Sequence, residues 1–120
     1  GTPSQEDEAV VTFTTGSSGR PKGIVRTFAS LEGQVRALRK VYPLGVMDIN
    51  PLPVFALRNV VEGAGTLVPF MTGSDQGRVD PERTARAACA FGADSAMGSP
   101  AFFSRMMGHM PRLRFRAVAP

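Results

Sequence analysis

Between residues 14 and 23 the chain reads Thr14-Thr15-Gly16-Ser17-Ser18-Gly19-Arg20-Pro21-Lys22-Gly23, and this stretch restricts the fold more than any other. Gly16, Gly19 and Gly23 open backbone conformations closed to other residues. Pro21 fixes one φ angle. Such a run is a loop. The flanking runs, Ala9 to Phe13 and Ile24 to Phe28, are rich in β-prone residues, so the loop is expected to join two strands. Thr14, Thr15, Ser17 and Ser18 add hydroxyls, and Lys22 adds one positive charge. Backbone N–H groups, hydroxyls and an ammonium gathered in a turn make a cradle for phosphate oxygens. The spacing excludes a Walker loop, which needs Gly-Lys-Ser/Thr opening a helix. Here Lys22 follows Pro21 and precedes Gly23, and no Gly-x-Gly-x-x-Gly is present.

The rest of the chain alternates helical and strand-like patterns. Leu31, Val35, Leu38 and Tyr42 share one helix face after a capping Ser30, with a Glu32–Arg36 pair and a stop at Pro43. Residues 44–53 read as extended or turning. Val54 to Glu62 reads as a short helix stopped by Gly63, Thr66 to Phe70 as a buried strand, and Thr72 to Arg78 as a polar loop. Asp80-Pro81-Glu82 is a helix start with a capping acid and proline in the first helical position. That helix packs through Ala85, Ala88 and Cys89 and closes at Gly92. Ser95 to Met97 is a short strand. Ser99-Pro100 opens a helix whose apolar face holds Phe102, Phe103, Met106, Met107 and Met110. Phe115 to Ala119 is the last strand. The alternation predicts an α/β fold with a mostly parallel sheet.

The 120 residues suit one domain or part of one, and 42% hydrophobic with 20% charged residues is ordinary for a globular chain. The single cysteine, Cys89, excludes an intrachain disulfide and a cysteine-cluster metal site. It is expected to be a buried, inert thiol. A reducing, cytoplasmic setting follows as an expectation, with no signal peptide and no apolar run long enough to span a membrane. The net charge of +4 invites a nucleic-acid reading. However, Arg36, Arg39 and Lys40 and then Arg112, Arg114 and Arg116 form no long basic run with interleaved aromatics. They are read as a solvated surface, with no nucleic-acid partner. His109 has no neighbour at metal-ligating spacing and is expected at the surface.

With Phe13 in front, the loop resembles the signature of the adenylate-forming (AMP-binding) superfamily of acyl-CoA synthetases, luciferases and peptide-synthetase adenylation domains. That pattern reads aromatic-Thr-Ser-Gly-Ser/Thr-Thr-Gly-x-Pro-Lys-Gly, and the departures Thr15 and Ser18 keep a hydroxyl. The likeness continues through Leu52-Pro53-Val54-Phe55-Ala56-Leu57, Val79-Asp80-Pro81-Glu82, Phe91-Gly92-Ala93 and Met97-Gly98-Ser99-Pro100-Ala101. This layout is most similar to the β-lactone synthetase branch of olefin biosynthesis and the related fatty-acid–AMP ligases. Arg116 to Pro120 resembles the strand before the family's adenine-binding turn.

The resemblance implies that residues 1–120 are part of an AMP-binding N-terminal domain without its C-terminal domain. It implies an enzyme in which a fatty or β-hydroxy fatty carboxylate attacks the α-phosphate of ATP. The products are an acyl-adenylate and pyrophosphate, with Mg²⁺ held mostly by ligands outside this chain. Thr14, Thr15, Ser17 and Ser18 would donate to the phosphates, Lys22 would pair with their charge, and Gly16, Gly19 and Gly23 would shape the loop. Phe55, Ala56, Met97, Gly98 and Ser99 are candidates for the acyl pocket, against plain core packing. The second step would be ring closure by the substrate's β-hydroxyl, or attack by coenzyme A or a carrier-protein thiol. The family's downstream aromatic-Gly-x-Thr-Glu and Thr-Gly-Asp segments and its catalytic Lys have no counterpart here. No catalytic residue is therefore assigned, and this polypeptide alone is expected to be inactive. Arg26 and Phe28 stand where many relatives carry Arg and His, and Phe28 cannot donate a hydrogen bond.

Overall fold

The computed structural model describes residues 1–15 and 19–110, together with the backbone of 117–119. The chain divides into two units, Gly1–Val41 and Tyr42–Pro120.

In the first unit, β1 (Glu8–Thr15) pairs antiparallel with β2 (Pro21–Thr27), with Thr15 opposite Pro21, Thr14 opposite Lys22 and Phe13 opposite Gly23. The ladder thus runs further toward the loop than the β-prone runs alone suggest. Helix α1 (Phe28–Val41) follows without a break. Its start is set by Thr27 rather than by Ser30. The Ser30 N–H donates to Thr27 Oγ1 at 3.3 Å, and the Ser30 hydroxyl donates back to the Thr27 carbonyl at 3.0 Å. Ser30 therefore sits inside the helix, because β2 hands over to α1 at Thr27. Leu31, Val35 and Leu38 form the half-buried face. Arg39 and Lys40 lie in the last turn, where the helix dipole favours cations. Glu32 accepts from Gln5 Nε2 at 3.1 Å and from Arg36 at 2.7 Å. Those bonds, and the charge of Arg36, hold its carboxyl below the usual range.

The second unit is a four-stranded parallel sheet in the order β4-β3-β5-β6, made of β3 (Met47–Ile49), β4 (Gly65–Leu67), β5 (Ser95–Met97) and β6 (Ala117–Ala119). Helices α2 (Pro53–Val61), α3 (Pro81–Phe91) and α4 (Pro100–Met106) and a 3₁₀ turn (Gln76–Arg78) connect the strands. This is the expected α/β layout. The local signals act as read. Asp80 Oδ1 accepts the Arg83 N–H at 3.0 Å, Pro81 starts α3, and Gly92 closes it with φ 66°. Ser99 Oγ accepts the Phe102 N–H at 3.2 Å to start α4. Ile49, Val79, Ala85, Ala88, Ala93, Ala96, Phe102 and Met106 make the core. Burying a side chain such as Phe102 stabilises by ~2 kcal/mol.

Residues 44–53, expected as extended or turning, contain β3, an interior strand of the sheet. Three further expectations change. The strand expected over Thr66 to Phe70 is the three-residue β4, and Phe70 is exposed. Cys89 is exposed: the buried positions of α3 are Thr84, Ala85 and Ala88, and Cys89 falls at the margin of that face. Met107 is also exposed, one residue beyond the end of α4. Phe115 and Arg116, and the arginines at 112 and 114, lie outside the described residues.

Candidate functional site

The hairpin places the described part of the loop. Residues directly opposite on an antiparallel pair project to the same face, and successive residues alternate. Thr14 and Lys22 therefore share one face at the tip, while Thr15 and Pro21 occupy the other. All four are exposed. Gly19 takes φ 71°, in the left-handed region that glycine favours. Gly23 has a different role. A Cβ there would lie 3.3 Å from Phe13 Cε1 and 3.4 Å from Val11 Cγ1, so the glycine makes room for the neighbouring strand's side chains. Gly16, Ser17 and Ser18 lie outside the described residues. The tip thus offers hydroxyls and an ammonium with no carboxylate in the loop sequence, a donor set suited to phosphate oxygens.

The other candidates belong to the second unit. Phe55 and Ala56 stand in the first turn of α2, after the carboxyl end of β3. Met97 ends β5, and Gly98 and Ser99 follow it. Strands β3 and β5 are adjacent and parallel, so both segments leave the same edge of the sheet. In open α/β sheets that edge is where ligands bind. Phe55 and Ala56 are half-buried, and Met97 and Gly98 are buried. A Cβ on Gly98 would come within 2.6 Å of Phe102 Cδ1, so the ring packs directly on it. The polar atoms of Ser99 are committed: its Oγ caps α4, and its N–H donates to Gln76 Oε1 at 2.7 Å. Separately, a cleft of about 420 Å³ is lined by Pro69, Phe70, Met71, Thr72, Arg78, Asp80 and Arg83, and none of the candidate phosphate-loop or acyl-pocket residues lines it.

Sequence reasoning missed a buried polar cluster beneath this edge. Asp48, in β3, has no exposed surface. Its Oδ1 accepts from the Tyr42 and Ser95 hydroxyls, both at 2.7 Å. Its Oδ2 accepts from Asn50 Nδ2 at 3.1 Å and Asn59 Nδ2 at 3.0 Å. Asn59 Nδ2 also donates to Thr66 Oγ1 at 2.9 Å. Arg58 pairs with Glu62 at 2.8 Å, donates to the Tyr42 carbonyl at 2.6 Å and lies 5.4 Å from the Tyr42 ring centre. Burial, and then the Asp48 carboxylate it bonds, push the Tyr42 phenol well above its usual range. The available signal was an acid and two amides, Asp48, Asn50 and Asn59, inside otherwise apolar stretches.

Among the described residues no three or more His, Cys, Asp or Glu side chains gather in a metal-holding group, and no helix is long and apolar enough to cross a membrane.

No family model matches the chain. Over 119 residues it is 34% identical to an olefin beta-lactone synthetase of Xanthomonas campestris pv. campestris, a match covering 95% of this chain and 21% of that protein. It is 33% identical over 106 residues to an olefin beta-lactone synthetase of Stenotrophomonas maltophilia, covering 87% of this chain and 19% of the relative. Long chain acyl-CoA synthetase 8 of Arabidopsis thaliana matches 72 residues at 33% identity, which is 60% of this chain and 10% of the relative. The chain thus spans about a fifth of the length of the olefin beta-lactone synthetases it matches. Among solved structures, a chain from Rhodopseudomonas palustris CGA009 assigned as a long-chain-fatty-acid CoA ligase has a TM-score of 0.72 at 19% identity. That match covers 100% of this chain and 32% of the other, and at that identity it speaks for the fold.

Proposed function

The chain belongs to the adenylate-forming superfamily, and from that membership we propose that its hairpin tip grips the β- and γ-phosphates of ATP while a fatty or β-hydroxy fatty acid is activated as an acyl-adenylate. The carrying observation is the pairing of Thr14 with Lys22, which sets a hydroxyl and an ammonium on one face of the hairpin. As the acid carboxylate attacks the α-phosphate, negative charge grows on the departing pyrophosphate. Donors fixed in advance around that charge lower the barrier. Lys22 supplies the countercharge, Thr14, Ser17 and Ser18 donate hydrogen bonds, and the backbone freedom at Gly16 and Gly19 lets N–H groups approach. Thr15 faces the other side of the hairpin and would act through its backbone. Mg²⁺ prefers carboxylates and phosphates. The tip offers no carboxylate, so the ion would arrive with the nucleotide and take its protein ligands elsewhere.

Phe55, Ala56, Met97, Gly98 and Ser99 would line the acid's pocket at the carboxyl edge of β3 and β5. The identities with olefin beta-lactone synthetases favour ring closure by the substrate's β-hydroxyl as the second step, ahead of attack by coenzyme A or a carrier thiol. A cytoplasmic setting, where ATP and acyl substrates meet, completes the reading.

The test is nucleotide binding by this chain. Titration with Mg-ATP and with pyrophosphate is expected to give weak binding that Lys22→Ala reduces about tenfold or more, the worth of one charge-assisted hydrogen bond. Binding of both ligands that ignores Lys22→Ala would remove the proposed role of the tip. Acid-dependent pyrophosphate release by the complete enzyme, followed over a series of fatty and β-hydroxy fatty acids, identifies the substrate.

A further inference from the structure

The cluster around Asp48 leads by an unbroken line of hydrogen bonds to the backbone of two pocket candidates. Asp48 Oδ2 accepts from Asn50 Nδ2 at 3.1 Å, which fixes the orientation of that amide. Asn50 Oδ1 then accepts the Leu52 N–H at 3.0 Å, closing an Asx turn across Pro51. The Leu52 carbonyl accepts the N–H groups of Phe55 at 3.0 Å and Ala56 at 3.3 Å. Leu52 stands at the N-cap of α2 and has no side chain that could cap it. Asn50 instead holds Leu52 by its N–H, and the Leu52 carbonyl in turn takes the first-turn N–H groups of Phe55 and Ala56. The Asn50 backbone N–H is held as well, by the Leu67 carbonyl of β4 at 3.0 Å. The other oxygen of Asp48 reaches Ser95, the first residue of β5, the strand that ends at Met97.

A buried carboxylate is costly, and one whose bonds are all satisfied instead specifies a single arrangement of the elements it touches. Here that arrangement includes both segments that leave the sheet at the candidate pocket. We propose that Asn50, locked by Asp48, is a positioning residue for acid binding. It sets the path of Leu52–Ala56, and through it the part of the pocket that meets the acid, without touching the substrate. This inference rests on the proposed acid-activating function.

The experiment compares Asn50→Ala and Asn50→Ser in the complete enzyme that carries this segment, by acid-dependent pyrophosphate release with acid and ATP varied separately. Alanine removes the acceptor for the Leu52 N–H. Serine keeps a weaker one in the same place. The acid KM is expected to rise about tenfold in Asn50→Ala and about threefold in Asn50→Ser, with the ATP KM unchanged in both. A purely structural role moves both KM values with the loss of stability, or neither, and either pattern overturns the inference. If Asn50→Ala does not fold, Asn50→Ser decides: a raised acid KM with a flat ATP KM supports the inference, and an unchanged acid KM removes it. Wild-type enzyme that releases no pyrophosphate with any acid removes the proposed function and this inference together. Active wild type with variants indifferent at Asn50 removes the inference alone.

Discussion

Asp48 is a charged side chain with no exposed surface, flanked in sequence by Met47 and Ile49. Taken alone, a carboxylate argues for solvent, which is why β3 was not legible as a strand. Only the fold brings Tyr42, Ser95, Asn50 and Asn59 around it, from four different places in the chain. Asp48→Ala would take the shared acceptor from all four, leaving Asn59 Nδ2 only its bond to Thr66 Oγ1. We expect a loss of about 3 kcal/mol or more in urea unfolding, and a loss under about 1 kcal/mol would contradict the account. Tyr42 gives a second test, in pH. Its folded phenol is raised, first by burial and then by Asp48. Below an ordinary phenol pKa of about 10 both folded and unfolded chains hold the proton, and the stabilisation is fully present. Above that pH the unfolded chain ionises first, so stability falls as pH rises. Tyr42 is the one tyrosine of the sequence, so phenolate absorbance reports it without interference. Absorbance is expected to appear together with unfolding, and Tyr42→Phe should flatten the alkaline decline. Ionisation at about pH 10 in a chain that stays folded would contradict the burial argument.

Elements bounded by local chemistry were the legible ones. Helix α3 begins with Asp80-Pro81 and ends at Gly92, and each of these acts within a turn of its own position. Asp80→Ala is expected to cost about 1 kcal/mol in thermal or urea unfolding, the usual worth of an N-cap. The misreadings share a cause: a tertiary partner made the choice. Thr27 and Ser30 both carry capping hydroxyls, and the strand-to-helix junction selects Thr27. Ala88 and Cys89 are neighbours, and the core takes Ala85 and Ala88 while Cys89 stays outside it. Strand β4 is three residues long, too short for periodicity to define. The candidate site divides in the same way. The loop was legible because its composition leaves few alternatives, and the hairpin register adds that Thr14 and Thr15 face opposite sides. The pocket segment after β5 depends on Gly98 meeting the Phe102 ring. Gly98→Ala would force that ring to shift, at a cost of about 1–3 kcal/mol, read by urea unfolding. A neutral Gly98→Ala would show that Phe102 can move away freely.

The molecule as a whole leaves much apolar surface uncovered. Phe13 in the first unit, and Val60, Val61, Val68 and Phe91 in the second, are each more than 60% exposed. Singly, exposed apolar residues are unremarkable, but several large ones on a small chain mark surface that another element or partner covers. The olefin beta-lactone synthetases it resembles extend well beyond the matched part, which is 21% and 19% of their length. The charge is no substitute for such cover. Two of the arginines, Arg36 and Arg58, are bonded to glutamates one helical turn away, so the net charge of +4 is not gathered into a single cationic face on their account. The prediction is therefore hydrophobic association. The isolated chain should enhance the fluorescence of an apolar dye and sediment as a concentration-dependent mixture. Val60 and Val61 are adjacent at the end of α2 and are 75% and 71% exposed. Replacing both with Lys removes apolar area without emptying the core and suits the C-terminal end of a helix, so it should shift the mixture toward monomer at little cost in stability. Association that instead weakens steeply with added salt would point to an electrostatic cause. A wild-type chain that stays monomeric at high concentration and leaves the dye dark would mean that these side chains find cover within the chain.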